Sequence, residues 1–154
     1  MEISSCMKRN VISISASSTI LNAAALMVES HIGLLPVVNN QGKPIGVIRL
    51  ADLLSLELPD SFDLLPDLDF VHDFGAVETT RPSSAELTQP ITSLMQPVTL
   101  VEETSGLLRS YALMLKHNLH DLPVVSIDGR LVGIASRVDI GTAILSTWKK
   151  VEGP

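Results

Sequence analysis

Apolar and polar positions along the first third of the chain change period several times. Val11-Ile12-Ser13-Ile14 is a short β-rich run. From Ile20 the apolar residues return at helical spacing. Ile20, Ala24 and Met27 share one face, with Leu21, Ala25 and Val28 beside them. Ser17 or Ser18 is the expected cap of this helix. Leu34-Leu35-Pro36-Val37-Val38 is wholly apolar, which fits a strand buried on both faces, with Pro36 expected at its start or on a sheet edge. Asn39-Asn40-Gln41-Gly42 reads as a tight turn, because Asn and Gly accept the positive backbone angles a hairpin needs. A strand over residues 44–49 and a helix over residues 51–56 follow.

The same order returns later. Sliding the chain by 87 residues lays 11–53 on 98–140 without a gap, and 13 of the 43 positions are identical. The identities include Leu35-Pro36-Val37-Val38 with Leu122-Pro123-Val124-Val125, Gly42 with Gly129, Gly46 with Gly133, and Asp52 with Asp139. They fall on turns as well as apolar sites, so they reflect duplicated structure rather than composition. Two copies are too few for a solenoid and imply a pseudo-twofold pair sharing a core. Val98-Thr99-Leu100-Val101 is the second copy's first strand, and Thr104 or Ser105 the expected cap of its helix. Leu108, Tyr111 and Leu115 are its expected apolar face, with an end near Asn118, a residue that tolerates a left-handed cap. A helix from Val138 to about Trp148 closes the copy.

Composition narrows the class. The 154 residues are one domain's worth, 45% apolar and 18% charged, which excludes a disordered or coiled-coil chain. The net charge of −6 argues against a nucleic-acid binder or a polybasic membrane anchor. Polar residues interrupt the uncharged stretch 10–28, so no membrane span is expected. Cys6 is the single cysteine, and no apolar run follows the N-terminal charges. The expectation is a soluble, cytoplasmic protein. Residues 54–93 hold eight acids and one base, a net of −7, and leave nine acids and ten bases elsewhere, a net of +1. They also hold all three Phe residues. Leu58, Phe62 and Leu65, then Leu68, Val71 and Phe74 before Gly75, read as two short helices, with residues 79–89 as the expected mobile part.

The stretches LLPVVNNQGKPIGVIRLADLL and DLPVVSIDGRLVGIASRVDIG each resemble the cystathionine-β-synthase (CBS) domain, and the pair resembles a Bateman module. Met7 and Met95 fit the Met that often precedes the family's first strand. The resemblance implies a mixed α+β (α/β) fold of two β-α-β-β-α repeats packed through their sheets. Residues 1–56 form the first repeat, 57–90 a short helical insert and 91–154 the second repeat. It further implies a non-enzymatic regulatory module that binds an adenosine-containing ligand (AMP, ADP or ATP) in clefts between the repeats. Such a module commonly forms a homodimer and signals to an effector protein.

The chemistry at these positions supports that reading in part. A carboxylate at the end of the third strand can accept both vicinal ribose hydroxyls. Asp52 and Asp139 hold this position, and either could equally serve as a helix cap. Ser136 suits a phosphate at a helix N-terminus, with Arg137 beside it as a possible cation. The first repeat has Arg49 where the second has Ser136; it could pair with a phosphate or fill the cleft. By resemblance the purine slot is walled by Val98, Thr99, Asp121, Leu122 and Pro123 in the second repeat, and by Val11, Ile12, Leu34, Leu35 and Pro36 in the first. His120 stands where the family often carries a phosphate-facing His. The Asp121 carboxylate would repel phosphates and favours AMP over a triphosphate. No catalytic constellation, Walker-type loop or zinc-spaced Cys/His cluster is expected. The alternatives are a structural dimerisation module with degenerate clefts, and an adaptor whose acidic insert grips a basic partner.

Overall fold

The structure is a computed structural model that describes residues 1–58 and 81–148. Each repeat runs strand, helix, strand, strand, helix. The first has β1 (Ile14–Ser15), α1 (Ile20–Ser30), β2 (Leu34–Val38), β3 (Pro44–Arg49) and α2 (Leu50–Leu54). After a short helix, α3 (Ser84–Leu87), come β4 (Val101–Glu102), α4 (Leu107–Lys116), β5 (Asp121–Val125), β6 (Leu131–Ser136) and α5 (Arg137–Ser146). The fold is mixed α+β with two three-stranded sheets, ordered β1-β2-β3 and β4-β5-β6.

Several boundaries differ from expectation for local reasons. The first strand of each repeat is only two residues long and starts three residues later than its apolar run. β1 pairs in parallel with β2 at Ile14–Val37 and Ser15–Val38, and β4 with β5 at Val101–Val124 and Glu102–Val125. Pro36 and Pro123 consequently sit inside central strands, not on an edge. They are tolerated because the flanking strand pairs only with the two residues after each proline, so no ladder bond is demanded of the missing N–H. Thr19, not Ser17 or Ser18, caps α1. Its hydroxyl accepts from the Asn22 N–H and its own N–H donates to the Asn22 side chain. Gly106, not Thr104 or Ser105, precedes α4 and offers no side-chain cap.

On α1 the expected Ile20 and Met27 are buried, with Ala23 in place of Ala24, whereas the buried stripe of α4 is turned by one residue from the expected one. α1 buries Ile20, Ala23 and Met27, and α4 buries Leu107, Ser110 and Met114. Leu21, Val28, Leu108 and Leu115 are exposed. Two adjacent apolar stripes exist on each helix, and periodicity cannot choose between them. Ser110 is accommodated because its hydroxyl donates to the Gly106 carbonyl at 2.8 Å.

The duplication extends to backbone conformation. Among the described residues, those with positive φ are His31, Gly42, Asn118 and Gly129, two pairs separated by 87 positions. Asn118 takes the expected left-handed cap, and both hairpin glycines close the expected turns.

The chain divides into two compact units: Met1–Ser15, Pro36–Gly46 and Pro97–Pro154, and Ala16–Leu35 with Val47–Gln96. Residues 1–8 pack on elements of the second repeat. The Ile3 N–H donates to Ser105 O at 2.8 Å, and Lys8 and Ile134 exchange backbone hydrogen bonds at 2.8 and 2.9 Å. In the other unit the Ile91 N–H donates to Ser18 O at 2.9 Å, and Val47 and Gln96 pair the same way. The first unit's core is Ile3, Met7, Val101, Leu107, Met114, Leu122, Val124, Ala135 and Ile140. The N-terminal segment therefore supplies two of its buried side chains.

Ser83 and Glu86 form a reciprocal capping box that starts α3. The helices expected on Phe62 and Phe74 lie outside the described residues.

Candidate functional site

The β6–α5 junction fixes the predicted Ser136 and Asp139. Ser136 has extended backbone and is the N-cap of α5. Its hydroxyl accepts from the Asp139 N–H at 3.0 Å, and its own N–H donates to Asp139 Oδ2 at 3.0 Å. This reciprocal cap stabilises the helix start by about 1 kcal/mol. The cap and a ribose role are compatible. Only Oδ2 is engaged, and Oδ1 takes no hydrogen bond from the described residues.

Asp121 begins β5 opposite Ser136 in the antiparallel β5–β6 pair. Burial pushes its carboxyl above the ordinary range, and Asp139 adds to that. The neighbouring His120 and Lys8 oppose the rise. Lys8 Nζ lies 4.0 Å from Asp139 Oδ2, with its side chain 69% exposed against 20% for the Asp. Burial and the Asp139 charge also push the Cys6 thiol up, which disfavours a reactive thiolate. The structure thus gathers His120, Asp121, Ser136 and Asp139 at one end of the second sheet and adds Lys8. Sequence reasoning missed Lys8, since nothing local in MKRN indicates which strand it will join.

Arg137 does not join this group as a cation. Its Nε donates to Leu119 O and its Nη2 approaches Asn118 Oδ1 at 3.4 Å and Met114 O at 3.5 Å. The guanidinium is held by acceptors on and just beyond the last turn of α4. Leu122 and Pro123 are buried in β5, so they are core residues first. Val98 and Thr99 are half-buried on the approach to β4.

The first repeat is built differently. Arg49 ends β3 and folds onto Asp52. Its Nε donates to Oδ2 at 3.1 Å, its Nη2 to Oδ1 at 2.8 Å and its N–H to Oδ2 at 2.8 Å. Both carboxylate oxygens are taken, Asp52 is 8% exposed, and the Arg49 side chain is 53% exposed. Leu35 and Pro36 are buried in β2, Leu34 and Val11 are half-buried, and Ile12 is exposed. In its own unit this repeat also has an apolar cavity of about 530 Å³ walled by α1 and α2, including Met27, Val28, Leu50 and Leu54.

Among the described residues, no group of His, Cys, Asp and Glu could hold a metal, and no helix is long and apolar enough to cross a membrane.

Comparison with known proteins places these observations. The CBS domain family model matches residues 2–58 and 91–146. The chloroplastic CBS domain-containing protein CBSX2 of Arabidopsis thaliana is 30% identical over 152 residues, covering 94% of this chain and 63% of the relative. CBSX1 of the same plant is 31% identical over 84% of this chain and 57% of its own length. The chain therefore spans less than two thirds of these two relatives. The crystal structure of CBSX2 in complex with AMP superposes with a TM-score of 0.70 at 25% identity, covering 96% of this chain and 98% of that one.

Proposed function

The chain belongs to the CBS domain family, and on that premise we propose that it is a non-catalytic regulatory module binding an adenosine-containing ligand beside Asp139. The observation that carries this reading is the contrast between the two matching carboxylates. Asp52 is closed by the Arg49 fork, whereas Asp139 keeps Oδ1 open next to a capped helix N-terminus. An open carboxylate oxygen can accept a ribose hydroxyl, and the first turn of α5 favours an anion nearby. The AMP bound to CBSX2 supports the adenosine class, with AMP preferred here because Asp121 disfavours added phosphate charge.

In this reading the second repeat holds the principal site, and binding biases the packing of the module. A homodimer is the proposed assembly, supported by the apolar side chains that α1 and α2 expose: Leu21, Val28, Leu50 and Leu54. An effector protein is the proposed listener.

Thermal unfolding with AMP, ADP, ATP, S-adenosylmethionine and NAD tests the proposal. A ligand at 100-fold over its Kd adds about 2.7 kcal/mol of stability. Asp139→Ala should abolish that gain and Asp52→Ala should not. The Arg49–Asp52 closure also favours a second reading, a structural dimerisation module with degenerate sites. Stability unchanged by every adenosine compound would establish that alternative.

A further inference from the structure

We infer that Lys8, on the N-terminal segment, is the specificity-determining residue of the second-repeat site and selects phosphorylated adenosine ligands over neutral ones. The inference rests on the reading of Asp139 as the ribose acceptor. Four observations lead to it.

The position of Lys8 is fixed by the backbone. It exchanges two hydrogen bonds with Ile134, two residues before the Ser136 cap. The close approach is built into the sequence. A Cβ on Gly133 would collide with Met7 Sδ and stand 3.1 Å from the Lys8 carbonyl. Secondly, the side chain is directed to the site, with Nζ 4.0 Å from Asp139 Oδ2. Its charge also acts on Asp121. Thirdly, the other predicted cation is committed elsewhere, because Arg137 spends its donors on carbonyls and Asn118 at the end of α4. Fourthly, Asp121 and Asp139 give the site two carboxylates. An uncompensated pair would repel any phosphate, and a flexible ammonium on a four-carbon stem can serve a carboxylate without ligand and a phosphate with it. The Lys8 side chain is largely exposed, so this exchange breaks no buried contact.

Calorimetric titration of the full chain with adenosine and with AMP tests the assignment, using wild type, Lys8→Met and Lys8→Arg. Lys8→Met should weaken AMP binding about tenfold, the scale of one lost charge-assisted contact, and leave adenosine within about twofold. Lys8→Arg should retain most of the AMP affinity. Added salt should weaken AMP binding in wild type more than in Lys8→Met. Equal loss for both ligands would make Lys8 a merely structural residue and overturn the inference. So would unchanged AMP affinity in Lys8→Met, or equal wild-type affinity for adenosine and AMP. A wild type that binds neither compound would instead remove the ribose reading itself, and this inference with it.

Discussion

At the residue scale, two carboxylates have different electrostatic fates. Asp52 gains a bidentate partner, while Asp121 is half-buried near Asp139 with opposing influence from His120 and Lys8. A carboxyl with a raised folded-state pKa binds its proton more tightly folded than unfolded. Its contribution is therefore present at low pH and lost as pH rises through the folded value. Asp121→Asn should accordingly be more stable than wild type at pH 7, and the difference should shrink as pH falls toward 4 in chemical denaturation. An unchanged difference across that range would show that Asp121 is well solvated. Gly133 gives a steric counterpart. Since an added methyl meets Met7 and the Lys8 backbone, Gly133→Ala should cost about 1–3 kcal/mol, measured by urea unfolding. Gly133 was legible in sequence as part of an apolar-Gly-apolar repeat. The need for glycine there came only from the segment packed over it, which is more than a hundred positions away in the chain.

At the element scale, strand and helix order was legible because each element carries its own period or turn chemistry. The hairpin glycines and Asn118 needed no tertiary information, since their conformations follow from local sterics. Caps were less legible, because several Ser and Thr residues precede each helix and only one geometry closes. Thr19 wins through its reciprocal partner Asn22, so Thr19→Ala should cost about 1 kcal/mol in thermal unfolding. Arg137 joins α5 to the end of α4. Arg137→Ala should cost about 1 kcal/mol of stability and leave AMP affinity within about twofold. A large loss of affinity in that variant would return Arg137 to the site. The buried stripe of α4 was misplaced by one residue because amphipathicity on this helix is broad, while the α1 stripe kept Ile20 and Met27 as expected. The side left exposed is apolar, which is the basis for the proposed dimer. Val28→Glu should convert a dimer to monomers in sedimentation equilibrium, and a monomeric wild type would remove the dimer proposal.

At the scale of the whole molecule, the N-terminal segment belongs energetically to the second repeat. Deleting residues 1–8 removes the fully buried Ile3 and the buried Met7 from this core. The expected loss is about 4 kcal/mol or more, a Tm fall on the order of 10 °C. A deletion that leaves Tm unchanged would show that the segment only decorates the surface. The net charge of −6 also resolves at this scale. The acidic excess lies in residues 54–93, and the rest of the chain, with Lys8 among its bases, carries a net charge of +1. The sequence by itself determined the duplication, the order of elements, the turns and the positions of Asp52 and Asp139, because these depend on local period, on backbone sterics and on an 87-residue offset. Tertiary structure alone decided which carboxylate is open, where Arg137 spends its donors and that Lys8 reaches Asp139. Those outcomes depend on contacts between residues distant in the chain or on which rotamer finds a partner, and neither leaves a periodic trace in the sequence.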